Sequence, residues 1–277
     1  MREAQPDMPP VLPPDLPPAL RLARVLDRFP ALAVAVSGGV DSLTLASFAF
    51  AHGVPLSVIH AVSPAVPADA TERVRRVAAA QGWELTVTGT GEFDDPRYRD
   101  NPVDRCYFCK TNLYDRIAGL TERPIASGAN LDDLGDYRPG LIAAAERRVV
   151  HPLIEAEMTK ADVRALARTL GLGEVAELPA QPCLASRVET GIAIDADDLA
   201  FVERAERRLA ALTGGGTLRC RITREGVSVE LGEEAMGHAG AVDALMVGLS
   251  ARAGRTYAGS RAYRRGAMFV GVNSVGA

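Results

Sequence analysis

The chain predicts an α/β protein with an N-terminal domain built on a parallel sheet and a smaller C-terminal α+β domain. Residues 31–36 are an unbroken apolar run that meets Ser37-Gly-Gly-Val-Asp-Ser42 and continues into the helix-like LTLASFAFAHG, the pattern of strand, glycine turn and helix. Residues 55–62 and 84–88 are further β-rich runs separated by a polar-faced helix at 71–81, and a βαβαβ rhythm implies parallel strands. Near Thr190 the pattern changes to one long helix followed by a hairpin.

The remaining elements follow in order. Residues 123–128 and 148–152 supply two more strands, the second closed by Pro152, which cannot continue a central ladder. A helix over 159–170 opens with Thr159 as N-cap, closes at Gly171, and lines Val163, Leu166 and Leu170 along one side. Trp83 belongs to ordinary helix–strand packing. Past Thr190 a helix spans 195–212, Gly214-Gly-Gly216 turns the chain, and 218–225 with 227–231 form a hairpin. A last strand is expected near 268–272. The domain limits are a disordered Pro-rich tail at 1–18, the sheet domain at 19–188 and the C-terminal domain at 189–277. No repeat of fixed period is present, which excludes a solenoid.

Bulk properties narrow the function classes. A length of 277 residues accommodates two domains, and 47% hydrophobic with 24% charged residues describes a folded soluble protein. The formal net charge of -4 gives no general attraction to phosphate backbones, so no nucleic-acid partner is expected. The tail MREAQPDMPPVLPPDLPP has repeated Pro and no signal-like apolar run, and no stretch approaches the ~20 apolar residues of a membrane span. A cytoplasmic protein without membrane contact is expected. Four cysteines in a reducing compartment point to metal, cluster or catalytic thiols, above all the pair Cys106-Tyr-Phe-Cys109.

The strongest chemical signal is Ser37-Gly-Gly-Val-Asp-Ser42. Adjacent glycines turn backbone N–H groups toward an anion, the Ser37 and Ser42 hydroxyls add donors, and the following helix contributes the positive end of its dipole. Gly38 and Gly39 thus belong to a pyrophosphate cradle. Asp41 beside a pyrophosphate implies a bridging cation, most simply Mg²⁺. A plain strand-to-helix turn also favours Gly, Asp and Ser, but SGGxDS is matched throughout and the lysine of GxxxxGK[ST] is absent.

With this motif the chain resembles the PP-loop ATP pyrophosphatases, among them NAD synthetases, GMP synthetases, argininosuccinate synthetases and tRNA thiolases. The resemblance implies an adenine nucleotide α hydrolase-like domain that cleaves ATP between the α- and β-phosphates and adenylates a substrate. The loop from Ser127 to Gly140 follows a strand and crowds acids and amides where parallel sheets bind ligands. There Gly128 and Asn130 join the nucleotide site, and Asp133 joins Asp41 around Mg²⁺. Together with His151-Pro-Leu, Thr159-Lys160 and Pro182-Cys-Leu-Ala-Ser-Arg187, this loop is similar to the LarE family over about residues 20–270. That family converts pyridinium-3,5-biscarboxylic acid mononucleotide to its thiocarboxylate form for nickel-pincer cofactor synthesis. The resemblance implies an ATP-dependent, AMP- and pyrophosphate-forming sulfurtransferase, a small-molecule nucleotide substrate and a homo-oligomer. The C-terminal domain would then serve substrate binding and oligomerisation.

Cys183, with Ser186 and Arg187 close behind it, has a cation near a thiol, the setting of a nucleophile. In LarE-like enzymes this cysteine attacks the acyl-adenylate, and in sacrificial members it gives up its own sulfur and becomes dehydroalanine. Cys106 and Cys109 have the spacing of two thiolates on one metal and make a trio with Cys183, which suits a [4Fe-4S] cluster with one open iron. A cluster-bound sulfide, a sacrificial Cys183, a structural zinc and a Cys106–Cys109 redox disulfide that regenerates a persulfide all stand as readings of the thiols. Cys220 lies between Arg219 and Arg221 and is not expected to be a ligand. Arg219 and Arg221 alternate along a strand and share a face suited to a phosphate or carboxylates. By resemblance they surround the mononucleotide with Ser186, Arg187, Glu206 and Arg264. No two histidines have metal-ligand spacing, so nickel is not expected here. Rival PP-loop chemistries are amide formation, disfavoured by the cysteine trio, and tRNA thiolation, disfavoured by the acidic charge.

Overall fold

The apolar run before Ser37 forms a strand because Leu32, Ala33 and Val34 are each fully buried in the computed structural model, which describes residues 16–135, 138–264 and 266–268. Helix α1 (Pro18–Leu26) precedes β1 (Leu32–Ala35), α2 (Val40–Ala51), β2 (Leu56–Val62), α3 (Ala68–Gln81) and β3 (Leu85–Gly89). The short α4 (Pro96–Arg99) and the longer α5 (Arg105–Ala118) then lead to β4 (Ile125–Ser127). Helices α6 (Pro139–Glu146), α7 (Pro152–Glu155) and α8 (Lys160–Thr169) follow. The strands pair in the order β3-β2-β1-β4, all parallel. The chain therefore steps to opposite sides of β1 for β2 and β4. Such a switch leaves a crevice beyond the carboxyl ends of β1 and β4, where open α/β sheets take ligands.

The α/β class is as read from the sequence, with one element changed. Residues 148–152 do not extend the sheet as a fifth strand. Only Val150 bridges to Ala126, because Arg148 has a left-handed backbone at φ 53 and Pro152 opens α7 instead of pairing. Helix α8 has the expected start, with Thr159 and Asp162 forming a reciprocal capping box, an arrangement worth about 1 kcal/mol.

The C-terminal part comprises α9 (Ala196–Thr213), β5 (Leu218–Thr223), β6 (Gly226–Leu231), α10 (Ala239–Arg252) and β7 (Tyr257–Ala262). Asp195 caps α9 through the Asp197 and Asp198 N–H groups, and Gly214 ends it at φ 77. The hairpin β5–β6 is antiparallel, while β7 runs parallel to β6. The third strand thus lies at 257–262, and Met268 sits in a turn. The strand expected near 268–272 otherwise falls outside the described residues, as do residues 1–15 of the tail.

Two main cores are present. Leu32, Val34, Leu43, Leu45, Val58, Val74 and Met158 bury one beneath the parallel sheet, with Trp83 packed into it. Leu199, Val202, Leu209, Cys220, Val229 and Leu231 bury the other. Leu184, Ala185 and Val188 belong to the second core together with Ala65 and Tyr98 from the first half of the chain. A smaller cluster fixes α5 by Tyr114 and Ile117 against Ala33, Ile59, Ile125 and Ala144. Among the described residues no helix is long and apolar enough to cross a membrane.

Candidate functional site

The loop after β1 is ordered by its own donors. Ser37 N–H donates to Ser42 Oγ at 3.1 Å, the two hydroxyls lie 3.3 Å apart, and Ser42 Oγ donates to the Gly39 carbonyl at 3.3 Å. Gly38 takes φ 85 and Gly39 stands at the N-terminus of α2. Gly128, just past β4, explains itself by contact. A Cβ there would lie 2.6 Å from Ser42 N and 2.7 Å from Ser42 Cα, so only glycine lets β4 approach the start of α2. Ser37, Gly38, Gly39, Ser42 and Gly128 thus form one backbone-built concavity at the β1/β4 switch.

Asp41 is the loop's only acid, and it is paired. Its Oδ1 accepts from Asn130 Nδ2 at 3.1 Å, and its Oδ2 pairs with the Lys160 ammonium. Asn130 is 3% exposed and its Oδ1 accepts from Asp132 N–H. The Lys160 N–H in turn donates to Asp132 Oδ2 at 3.1 Å. An ammonium beside Asp41 marks a place for positive charge, which fits a divalent cation held by this carboxylate. Asp133 lies in the same network: its Oδ2 accepts from Asn130 N–H at 3.0 Å and its Oδ1 meets Arg138 at 2.9 Å.

The sulfur-bearing residues come from two segments. Cys106 and Cys109 lie on the first turns of α5, Cys106 exposed and Cys109 half-buried, while Cys183 is exposed where the chain enters a 3₁₀ turn over Leu184–Arg187. Although the residue keeps an exposed surface, the protein packed around its sulfur and then the charge of Cys183 raise the Cys106 pKa. Loss of solvent pushes the Cys109 thiol up to about 12, opposed by the Lys110 ammonium and reinforced by Cys183. The three thiols therefore lie within one another's electrostatic reach. Among the described residues no three His, Cys, Asp or Glu side chains are grouped to hold a metal ion.

Arg187 is bonded into the backbone on either side of the Pro182–Cys183 peptide. Its Nη1 donates to the Pro182 carbonyl at 2.7 Å, the Cys183 carbonyl at 3.2 Å and Ser186 Oγ at 3.0 Å. Its remaining edge makes a two-pronged pair with Glu206 at 3.0 and 2.9 Å. Arg187 and Glu206 therefore brace the backbone of the cysteine turn. Glu206 Oε1 also accepts from Cys220 N–H at 3.0 Å. The Cys220 thiol is buried in the second core, which raises its pKa and keeps it protonated.

Arg219 and Arg221 have different surroundings despite sharing a strand. Arg221 is 5% exposed and pairs doubly with the fully buried Glu230, while donating to the Ser186 carbonyl at 3.1 Å. Arg219 donates to the Leu218 carbonyl and lies 6.0 Å from the Tyr263 ring centroid. Among the described residues it has no carboxylate partner within ion-pair distance, so it is the better placed of the two for an incoming anion. Arg264 is exposed beside Tyr263.

Four residues near the site were not singled out from sequence. Lys110 follows Cys109 directly, and a cation inside a Cys-x-x-Cys helix was a readable sign. Arg73 is 7% exposed on α3 and gave no local sign. Glu92 and Tyr98 are each 2% exposed, and among the described residues neither Glu92 Oε2 nor the Tyr98 hydroxyl has a hydrogen-bond partner. Burial, then Cys183 and Cys109, keep the Tyr98 phenol protonated far above its ordinary range.

No protein-family model matches the chain. Over 206 residues it is 38% identical to the uncharacterized protein slr1717 of Synechocystis sp., covering 73% of this chain and 76% of the relative. Over 222 residues it is 29% identical to the pyridinium-3,5-bisthiocarboxylic acid mononucleotide synthase of Lactiplantibacillus plantarum, covering 78% and 80%. A shorter match, 30% over 113 residues, is to the uncharacterized protein MJ0830 of Methanocaldococcus jannaschii and covers 39% and 44%.

Proposed function

The chain belongs to the LarE family, and from that premise we propose that it is an ATP-dependent sulfurtransferase of nickel-pincer cofactor synthesis. It adenylates the carboxylates of pyridinium-3,5-biscarboxylic acid mononucleotide and converts them to thiocarboxylates, in the cytoplasm and as a homo-oligomer. The observation that carries the reading is the meeting of loop and cysteine turn. One nitrogen of Arg73 donates both to the Gly38 carbonyl and to Gln181, two residues ahead of the exposed Cys183.

In the first step a carboxylate oxygen of the substrate attacks the α-phosphorus of ATP, and the bond to the β-phosphate breaks. The N–H groups of Gly38 and Gly39 and the Ser37 and Ser42 hydroxyls hold the departing pyrophosphate. Asp41 would hold Mg²⁺, which supplies charge neutralisation there. Lys160, which pairs with Asp41 here, would contribute a second positive charge beside the phosphates. Asp133 steadies the Asn130 loop from behind.

In the second step a sulfur nucleophile attacks the acyl carbon, and AMP leaves with the electron pair of the broken carbon–oxygen bond. If the sulfur is that of Cys183, the thioester then loses the Cα proton and the Cβ–S bond breaks. That elimination leaves a thiocarboxylate and dehydroalanine without any net redox change. Arg219 and Arg264, set close to Tyr263, take the mononucleotide phosphate or its second carboxylate, while Ser186, Arg187, Glu206 and Arg221 shape the wall behind Cys183.

A second sulfur source is favoured by one observation: three thiols lie in mutual electrostatic contact, and two have raised pKa values despite the nearby Lys110 ammonium, so a metal that favours the thiolate form suits them. Cys106, Cys109 and Cys183 fit a [4Fe-4S] cluster by donor type, and such a cluster would supply a transferable sulfide at its open iron.

The test is anaerobic incubation with Mg-ATP and the biscarboxylated mononucleotide, following AMP, pyrophosphate and thiocarboxylate. Pyrophosphate release is expected from the parent and from Cys183→Ala, with thiocarboxylate from the parent only. No pyrophosphate with any carboxylate sinks the reading. The mass of the Cys183 peptide after turnover separates the sources: a loss of about 34 Da, that of H₂S, identifies sacrifice, and an unchanged mass over several turnovers identifies bound sulfide.

A further inference from the structure

Helix α3 stands between the two halves of the site. Its first turn presses on the phosphate loop, where a Cβ on Gly38 would come within 2.7 Å of the Ala70 carbonyl oxygen. Three residues along, Arg73 points inward from the same helix and is buried. Its Nη1 donates to the Gly38 carbonyl at 2.8 Å and to Gln181 Oε1 at 3.0 Å. Among the described residues no carboxylate lies within ion-pair distance of it, and its guanidinium bonds to these two neutral acceptors. A buried guanidinium held by neutral acceptors responds strongly to any change in the field at either one.

The cysteine turn is anchored on one side and lightly held on the other. From Pro182 onward the turn is fixed: Leu184 N–H donates to the Ala65 carbonyl at 2.9 Å and Arg187 clamps the Pro182 and Cys183 carbonyls. Ahead of Pro182, residues 179–181 are exposed, and the Gln181 side chain meets the loop side through Arg73. An anion bound at the N–H groups around Gly38 would act on the same peptide segment whose carbonyl Arg73 holds, and the other acceptor on that nitrogen is Gln181 of the cysteine turn.

We propose that Arg73 is a positioning residue that couples occupancy of the phosphate loop to the placement of Cys183, through Gly38 on one side and Gln181 on the other. The inference rests on the proposed reading of the loop as an ATP site and adds how that site governs the sulfur step. It gives sulfur transfer an order: the thiol is set for attack only when the phosphate loop is occupied.

The test measures iodoacetamide labelling of Cys183 by peptide mass, with and without Mg-ATP and with no carboxylate added. In the parent, Mg-ATP changes the labelling rate about fivefold or more, the lower end of ordinary coupling between sites. Gln181 is exposed, so Gln181→Met is tolerated by the fold. It retains ATP affinity but loses most of the response, and Gln181→Glu, which keeps an acceptor, restores it. In an Arg73→Lys background, Gln181→Met adds nothing further, as expected for two members of one linkage. A Gln181→Met protein that responds like the parent overturns the inference, as does a parent that binds ATP with unchanged labelling. Both results leave the proposed function standing. A parent that binds no ATP overturns the two together.

Discussion

The phosphate loop and the cysteine group are built in opposite ways. Ser37 to Ser42 is one contiguous segment whose hydroxyls and backbone already bond to one another, and whose acid is already matched by Lys160 and Asn130. Cys106, Cys109 and Cys183 come from two segments, and two of their thiols have raised pKa values because burial and neighbouring sulfur disfavour the thiolate. A site made by backbone geometry is organised before its ligand arrives. A site made by converging side chains of like charge is completed by whatever compensates them.

The largest expected effect breaks the organised half. Asp41→Asn leaves the loop fold and the Asn130 contact in place but removes the charge that faces Lys160 and the cation. Pyrophosphate release should fall by about 10²–10³, the usual cost of losing a preorganised electrostatic contact, while labelling of Cys109 stays as in the parent. A loss below about tenfold would show that Asp41 is only a turn residue.

The next effect probes the unfinished half. With its thiol pushed up to about 12, Cys109 should react with iodoacetamide at about pH 8 on the order of 1,000-fold more slowly in the native protein than in the unfolded chain, because the thiolate is the reactive form. Anaerobic loading with iron and sulfide should then protect Cys106, Cys109 and Cys183 together. A native rate close to the unfolded one would erase the contrast between the two halves.

The same contrast explains what could be read from sequence. The loop was legible because SGGxDS encodes its conformation locally, and the strand and helix that hold it have apolar periods that show in a short window. The α8 cap and the 218–231 hairpin were legible for the same reason. The 148–152 strand failed because a left-handed Arg148 cannot be recognised from residue type. The sequence put Arg187 beside Cys183 and grouped Glu206 with the mononucleotide residues, but the two-pronged Arg187–Glu206 pair and the Arg187 bond to the Pro182 carbonyl are tertiary facts that no local pattern announces. Arg73 left no sign at all. Its partners lie 35 residues before it and 108 after it, beyond the reach of any local pattern.

The smallest effect concerns the platform beneath Cys106 and Cys109. Asp95 caps α4 by accepting from Arg97 N–H at 3.0 Å, pairs with the Arg97 side chain, and accepts from Asn112 of α5 at 2.9 Å. These bonds, that of Arg97 foremost, lower its pKa from 3.8 to about 2. A carboxylate with a lowered folded pKa adds stability above its unfolded pKa and loses it as pH falls toward the folded one. The contribution of Asp95 is therefore complete at neutral pH and disappears between about pH 4 and about pH 2. Asp95→Asn keeps the cap and removes the charge. Because the Arg97 partner is largely exposed, the loss is expected to be about 1 kcal/mol or less, or roughly 2 °C in thermal midpoint. Melting curves of parent and variant should differ at pH 7 and converge as pH drops through this window. A difference that persists unchanged in acid would assign the effect to packing against Asn112 and remove charge from the support of the cysteine helix.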